Sequence, residues 1–178
     1  MDIGLLKNLL QRNSIEEEVF ARVVYNTLLN SVFETICKEI KRRGKKTEEL
    51  ARFRKTKDHI LVTKGIVARY VGCALEDEEY ERIYKMLRAF FNKKGKDNRI
   101  AYPDGFKIRL LKEQKEVCPY CGKQIDLSNS HLDHIIPWDY VGDELDNNYQ
   151  MLCTRCNEQK GTSSYFELSM LLRKVENV

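Results

Sequence analysis

Two cysteine pairs, CPYC at 118–121 and CTRC at 153–156, and the segment HLDH at 131–134, which holds two of the three histidines, offer the most chemistry in this chain. A C-x2-C pair can present two thiolates from one tight turn. Two such pairs at this separation bring four sulfurs into the tetrahedron that zinc prefers, at ~2.3 Å per bond. Cys118, Cys121, Cys153 and Cys156 are therefore expected to hold a structural Zn2+ with no open coordination position. A redox motif or a disulfide would use the same residues, but the motif is doubled and no thioredoxin-like βαβ pattern surrounds it. Between the pairs, His134 directly follows Asp133. A neutral imidazole can accept a proton near neutral pH, a carboxylate can bind a divalent cation, and alternation along a strand would send the two side chains to opposite faces.

The surrounding residues add a specific pattern: HLDHIIP at 131–137, an asparagine (Asn148) five residues before the third cysteine, and NEQKG at 157–161 directly after the fourth. From Cys118 to about Gly161 the sequence resembles the HNH endonuclease family, whose ββα-metal core is often clamped by a zinc knuckle. The resemblance implies that His134 is the general base that activates water for attack on a phosphodiester. It implies that Asp133 and Asn157 bind a catalytic cation, Mg2+ with Mn2+ or Ni2+ able to substitute, and that Asn148 braces the loop. Asn157 would stand at the start of a short helix after the last cysteine. The products would carry 5′-phosphate and 3′-hydroxyl ends. The resemblance also implies a role in restriction or phage defence on DNA, with a homodimer or an ATPase partner protein as the associations the family offers. The alternative from another class is a non-catalytic zinc-ribbon module that binds nucleic acid, in which the knuckle is only a clip.

These residues need elements to hold them. Ser14 and Glu17 form a capping-box pattern, and Ile15, Val19, Phe20, Val23, Leu28, Val32, Ile36 and Ile40 follow at helical spacing as far as Gly44. The spacing predicts one helix of about 40 Å, or two in series. Cys37 lies on its apolar stripe, and both Cys37 and Cys73 read as buried thiols. VTKGIVARYVG (62–72) predicts a short helix ended by Gly72, and EDEEYERIYKMLRAFF (76–91) a longer amphipathic one, so that Arg82, Lys85 and Arg88 would be groove contacts if the pair were a helix-turn-helix. NKKGKDN (92–98) reads as a linker and 104–115 as a helix. Ser164 and Glu167 suggest the cap of a final helix, and Trp138 reads as a packing residue.

The expected architecture is α+β: a mainly α-helical region, 1–95, for DNA recognition or partner docking, and a zinc-stabilised ββα-metal (HNH) core with a C-terminal helix, 96–178. The net charge of +4 is unevenly spread, with 22 Lys and Arg against 15 Asp and Glu in 1–100 and 9 against 12 in 101–178. The stretch 38–57 holds 10 basic and 3 acidic residues, which suits a polyphosphate partner. Lys41, Arg42, Arg43, Lys45 and Lys46 there, with His131 and Lys160 in the motif, are the candidate nucleic-acid contacts. No apolar run approaches the ~20 residues of a membrane span, and the N-terminus lacks a signal-peptide pattern. A cytoplasmic location is therefore expected, where six cysteines are thiols or metal ligands rather than disulfides.

Overall fold

The structure, a computed structural model, describes residues 3–95 and 99–176. The elements are α1 (Ile3–Arg12), α2 (Glu17–Arg42), α3 (Lys46–Lys55), α4 (His59–Tyr70), α5 (Asp77–Asn92), α6 (Asp104–Glu113), β1 (Ser130–His134), α7 (Trp138–Val141), β2 (Tyr149–Cys153), α8 (Thr154–Lys160) and α9 (Phe166–Glu176). The protein is mostly helical, with β1 and β2 paired as a small antiparallel sheet, in line with the expected α+β class. No helix among the described residues is long and apolar enough to cross a membrane. Of the expected linker, residues 96–98 lie outside the described residues, while Asn92 ends α5.

The long helix forms as its periodicity predicts, but its start differs. Ser14 has φ +53, its N–H bonds to the Gln11 carbonyl, and the Ile15 N–H reaches back to the Leu10 carbonyl. That pattern is the left-handed C-terminal cap of a preceding helix, closed by the buried pair Leu10 and Ile15. Ser14 thus ends α1, which the sequence reading had not anticipated, and α2 begins at Glu17. Gly44, at φ +63, ends α2 by the same device: its N–H bonds to the Lys41 carbonyl and that of Lys45 to Ile40. The last helix begins at Phe166, so Glu167 falls within its first turn.

The chain forms two compact units that interleave along its length. One comprises residues 1–28, 103–133 and 150–178. Its core gathers Leu111, Ile125, Met151, Leu152 and Phe166 around the buried cysteines Cys118, Cys153 and Cys156, with Met170 of α9 packed against them. Gln114 supports β2 from the side: its amide accepts from the Met151 N–H at 2.7 Å and donates to the Met151 carbonyl at 2.9 Å, replacing the partner that a further strand would supply.

The other unit comprises residues 29–102 and 134–149. On α5, Tyr80, Ile83, Leu87, Phe90 and Phe91 recur at helical spacing and are buried against Phe33, Ile36, Ile40, Ile66 and Val67. Cys37 is fully buried in this core, as expected of a thiol that acts as a small hydrophobe, whereas Cys73 is only partly buried and packs at its edge. Within this unit Glu49 is buried and meets Arg69 at 2.7 Å, Arg52 at 2.9 Å and the Tyr70 hydroxyl at 2.8 Å. We propose the division into a recognition region, 1–95, and a nuclease domain, 96–178, on grounds of function; these units are drawn on other bounds.

Candidate active site and metal centre

The cysteine cluster begins with a turn. Val117 bridges Gln124, the Cys118 N–H bonds to the Lys123 carbonyl, and Gly122 supplies the left-handed residue (φ +72) that returns the chain. Cys118 and Cys121 leave this turn, Cys153 ends β2 and caps α8, and Cys156 lies inside α8. The four sulfurs all lie within 4.8 Å of one another, with Cys121 and Cys153 at 3.7 Å. A tetrahedron with bonds of ~2.3 Å has edges of about 3.8 Å, so the cluster fits a tetrahedral, sulfur-loving metal. Burial pushes the Cys121 and Cys156 thiols up, with the Cys153 and Cys118 sulfurs adding to it in both. Burial also acts to raise Cys118, but the N–H groups of Cys153, Cys121 and Tyr120 bring it down to about 7. Four thiolates this close repel strongly, and a dication supplies the compensation they lack.

Asp133 belongs to the same unit as the cysteines, and its carboxylate is nearly buried. It accepts from the Gln150 amide at 2.8 Å and from the Lys160 ammonium at 3.0 and 3.2 Å, one distance to each oxygen. Gln150 also donates to the Tyr120 hydroxyl at 2.9 Å. Lys160, a candidate nucleic-acid contact by sequence, is turned inward: its side chain is 2 % exposed and neutralises a carboxylate. Asn157 stands mid-way along α8 rather than at its start, because Cys153 is the cap and Thr154 the first residue. It precedes Lys160 by three residues, so the two share a helix face. A carboxylate is one kind of oxygen donor that a hard divalent ion uses, and an amide oxygen is another.

His134 belongs to the other unit, and the boundary between units falls between it and Asp133. The partners of Asp133 named above lie in the first unit and those of His134 in the second. His134 is buried, with Nε2 3.0 Å from Asp143 and its ring edge-on to Tyr149. Asp143 also accepts from the Trp138 indole N–H at 3.0 Å and the Ile100 N–H at 3.1 Å, with the Tyr102 hydroxyl at 3.4 Å. Burial acts to raise the Asp143 carboxyl, but the hydrogen bonds from Trp138, Ile100 and His134 outweigh it and hold the group below its usual range. With Asp143 ionised, Nε2 must carry the hydrogen, which leaves the basic lone pair on Nδ1.

Asn148 completes this half. Its side chain is buried; Oδ1 accepts from the Ile136 N–H at 2.7 Å and Nδ2 donates to the Ile136 carbonyl at 2.9 Å, while its own carbonyl accepts from Ile135 at 3.0 Å. The loop after β1 is thereby tied to the residue before β2. Asn148→Ala would leave both Ile136 groups unmet in a buried place, at ~1–3 kcal/mol each. A fall of about 2–6 kcal/mol in the free energy of urea unfolding is expected, and a loss below ~1 kcal/mol would mean that the brace is not needed.

The remaining candidates lie elsewhere. His131 is exposed and its Nε2 is 3.3 Å from the Thr154 hydroxyl. In the basic stretch, Arg42 grips Glu39 at 2.9 and 2.7 Å, Arg43 reaches Glu39 at 3.0 Å, and Lys45 reaches Glu48 at 2.6 Å. Lys41 lies over Phe90 and Tyr140, and Lys46 over Phe90. Sequence reasoning missed Asp143, Gln150 and the inward turn of Lys160, and it read Trp138 as packing alone although its N–H serves Asp143. No spacing rule marks these residues, because each acts across a loop or a unit's core.

Residues 118–163, which carry this geometry, match the family model described as HNH endonuclease. The resemblance read from the motif therefore holds over that segment, and it supports a nuclease. The chain is also similar to two proteins named CRISPR-associated endonuclease Cas9. The one from Corynebacterium diphtheriae is 31 % identical over 85 residues, which is 47 % of this chain and 8 % of that protein. The one from Campylobacter jejuni is 36 % identical over 67 residues, which is 34 % of this chain and 7 % of that protein. The chain thus spans less than a tenth of the length of either relative. No solved structure matches it significantly.

Proposed function

We propose that this chain, through its HNH endonuclease segment, is a metal-dependent endonuclease that hydrolyses phosphodiester bonds of DNA, with His134 as the general base. The observation that carries this reading is the buried His134–Asp143 pair at 3.0 Å. An ionised carboxylate beneath Nε2 orients the ring, keeps Nδ1 basic, and stabilises the imidazolium that forms when water gives up its proton. Asn148 holds the loop that follows the histidine, and Tyr149 packs on the ring from the side.

The cysteine cluster is assigned to one structural Zn2+, and Asp133 with Asn157 to a catalytic Mg2+ for which Mn2+ or Ni2+ can substitute. When bound, that cation would offset the negative charge that develops on the phosphorane and the leaving 3′-oxygen. Lys160 supplies positive charge at the same carboxylate, and a divalent ion that binds Asp133 must share or displace its ammonium. Gln150 keeps the carboxylate oriented during that exchange. The names of the two relatives support a defence role, and the helical region 1–95 is assigned to recognition or partner docking.

The test is direct. Supercoiled plasmid incubated with the purified chain and Mg2+ should accumulate nicked circles, and the same mixture with EDTA should not. If plasmid is bound but left intact with Mg2+, Mn2+ and Ni2+ alike, the chain is a binding module and the catalytic reading fails.

A further inference from the structure

Three rings from three helices stack within the second unit. Phe53 of α3 lies 4.8 Å from Tyr84 of α5 at 15°, and His59, the first residue of α4, lies 3.9 Å from Tyr84 at 14°. Two near-parallel partners at such distances must cover opposite faces of Tyr84. The column runs outward, from buried Phe53 through half-buried Tyr84 to exposed His59. His59 therefore turns its second face to solvent, and among the described residues its ring nitrogens have no hydrogen-bond partner.

The column borders a cavity of about 320 Å3 whose lining includes Arg54, Lys57 and Arg88. In the same basic stretch, Arg42, Arg43, Lys45 and Arg52 are all paired with glutamates. Arg54 and Lys57 are exposed and have no carboxylate partner among the described residues. Arg88 is 4.0 Å from Asp146, whose side chain is 90 % exposed. The neighbouring acid, Asp58, is turned into the helix, where it accepts from the Leu61 N–H at 2.9 Å to cap α4. The folded chain has thus neutralised much of its basic stretch and left cations beside one open aromatic face.

From this placement we infer that the pocket at the α3–α4 turn binds single-stranded nucleic acid, an unpaired base stacking on His59 and its flanking phosphates meeting Arg54 and Lys57. An aromatic face beside cations is the arrangement that holds single strands without regard to sequence. A duplex keeps its base faces in its own stack and can use only the charges. The pocket lies apart in sequence from the residues assigned to cleavage, and the inference does not require the chain to cut.

Binding is measured by fluorescence anisotropy on the full chain in EDTA, which keeps it separate from cleavage. The probes are a labelled oligothymidylate of about ten nucleotides, within the site sizes such surfaces use, and an abasic strand of equal length and charge. Wild type should bind the oligothymidylate at least about 5-fold more tightly than the abasic strand. His59→Glu should abolish that preference, and the variant should fold because a carboxylate is favoured in the first turn of a helix. His59→Trp should keep it. Arg54→Ala with Lys57→Ala should weaken both probes and reduce the slope of log affinity against log salt by ~1–2. The inference is overturned if wild type does not distinguish the two strands, or if His59→Glu binds the oligothymidylate as wild type does.

Discussion

His134→Ala is expected to slow phosphodiester cleavage by about 10²–10⁴-fold, the usual contribution of a positioned general base, while DNA affinity in EDTA changes little. His134 is buried and its Nε2 meets Asp143, so truncation removes packing as well as the base. His134→Gln is the sharper variant: its amide N–H can still donate to Asp143, but it holds no basic nitrogen. Equal loss of rate in both variants, with His134→Gln keeping the melting temperature of wild type, would place the effect in the chemistry. Asp143→Asn tests the same arrangement from beneath. One oxygen of Asp143 accepts from both Trp138 and Ile100, so the asparagine carbonyl must take that side and its NH2 must face His134. The imidazole would then accept at Nε2 and carry its hydrogen on Nδ1, which removes the base without removing the ring. The comparable change in an Asp-His-Ser triad lowers the rate by about 10⁴. A rate for Asp143→Asn within ~3-fold of wild type would remove His134 from the role of base, since a general base is worth at least ~10². Because the Asp143 carboxyl is held below its usual range, this orientation and the stability it confers persist above the unfolded carboxylate pKa of about 3.9 and are lost only as pH falls through the lower folded value.

Removing the cysteine metal should have the larger effect on the fold. The cysteines are part of the first unit's core: Cys118, Cys153 and Cys156 are buried beside Met151, Leu152 and Phe166. Binding of a structural zinc is worth roughly 10–16 kcal/mol at neutral pH, as large as the whole ~5–15 kcal/mol that holds a typical domain together. Cys156→Ser, or extraction of the metal by a strong chelator, is therefore expected to abolish the cooperative unfolding transition of that unit and expose its backbone amides to rapid hydrogen exchange. Metal analysis of the native chain should find about one zinc per chain, bound tightly enough to survive dialysis. A chain that contains no zinc, or a Cys156→Ser variant that melts within a few degrees of wild type, would show that the four thiols pack without a metal. The second unit has a separate core that holds none of these four cysteines, and its exchange protection serves as the internal control.

The legibility of this chain follows the range of the interactions. The helices from Glu17 to Arg42, His59 to Tyr70 and Asp77 to Asn92 were readable because apolar spacing, joined in the first two by a terminal glycine, acts within a few residues. Ser14 misled because the same residue type favours a helix start and tolerates a left-handed helix end; only the unexpected α1 decides which. The nucleic-acid reading of 38–57 was incomplete for a similar reason. Composition counts charges, whereas pairing with Glu39, Glu48 and Glu49 depends on helix phase and on how the helices fold back.

By itself, the sequence marked the four clustered cysteines and the residues that carry the resemblance to the HNH family. A C-x2-C pair is a local turn, and Asp133, His134, Asn148 and Asn157 stand out through the resemblance of the surrounding residues to the HNH pattern. Tertiary structure alone decided their surroundings. It set Asp143 beneath His134, Lys160 and Gln150 on Asp133, and Asn148 on Ile136. It also left Arg54 and Lys57 open beside His59 while their neighbours were paired. The physical reason is that a hydrogen bond or ion pair between residues distant along the chain forms only once other segments have brought them together, and no local spacing rule records that closure.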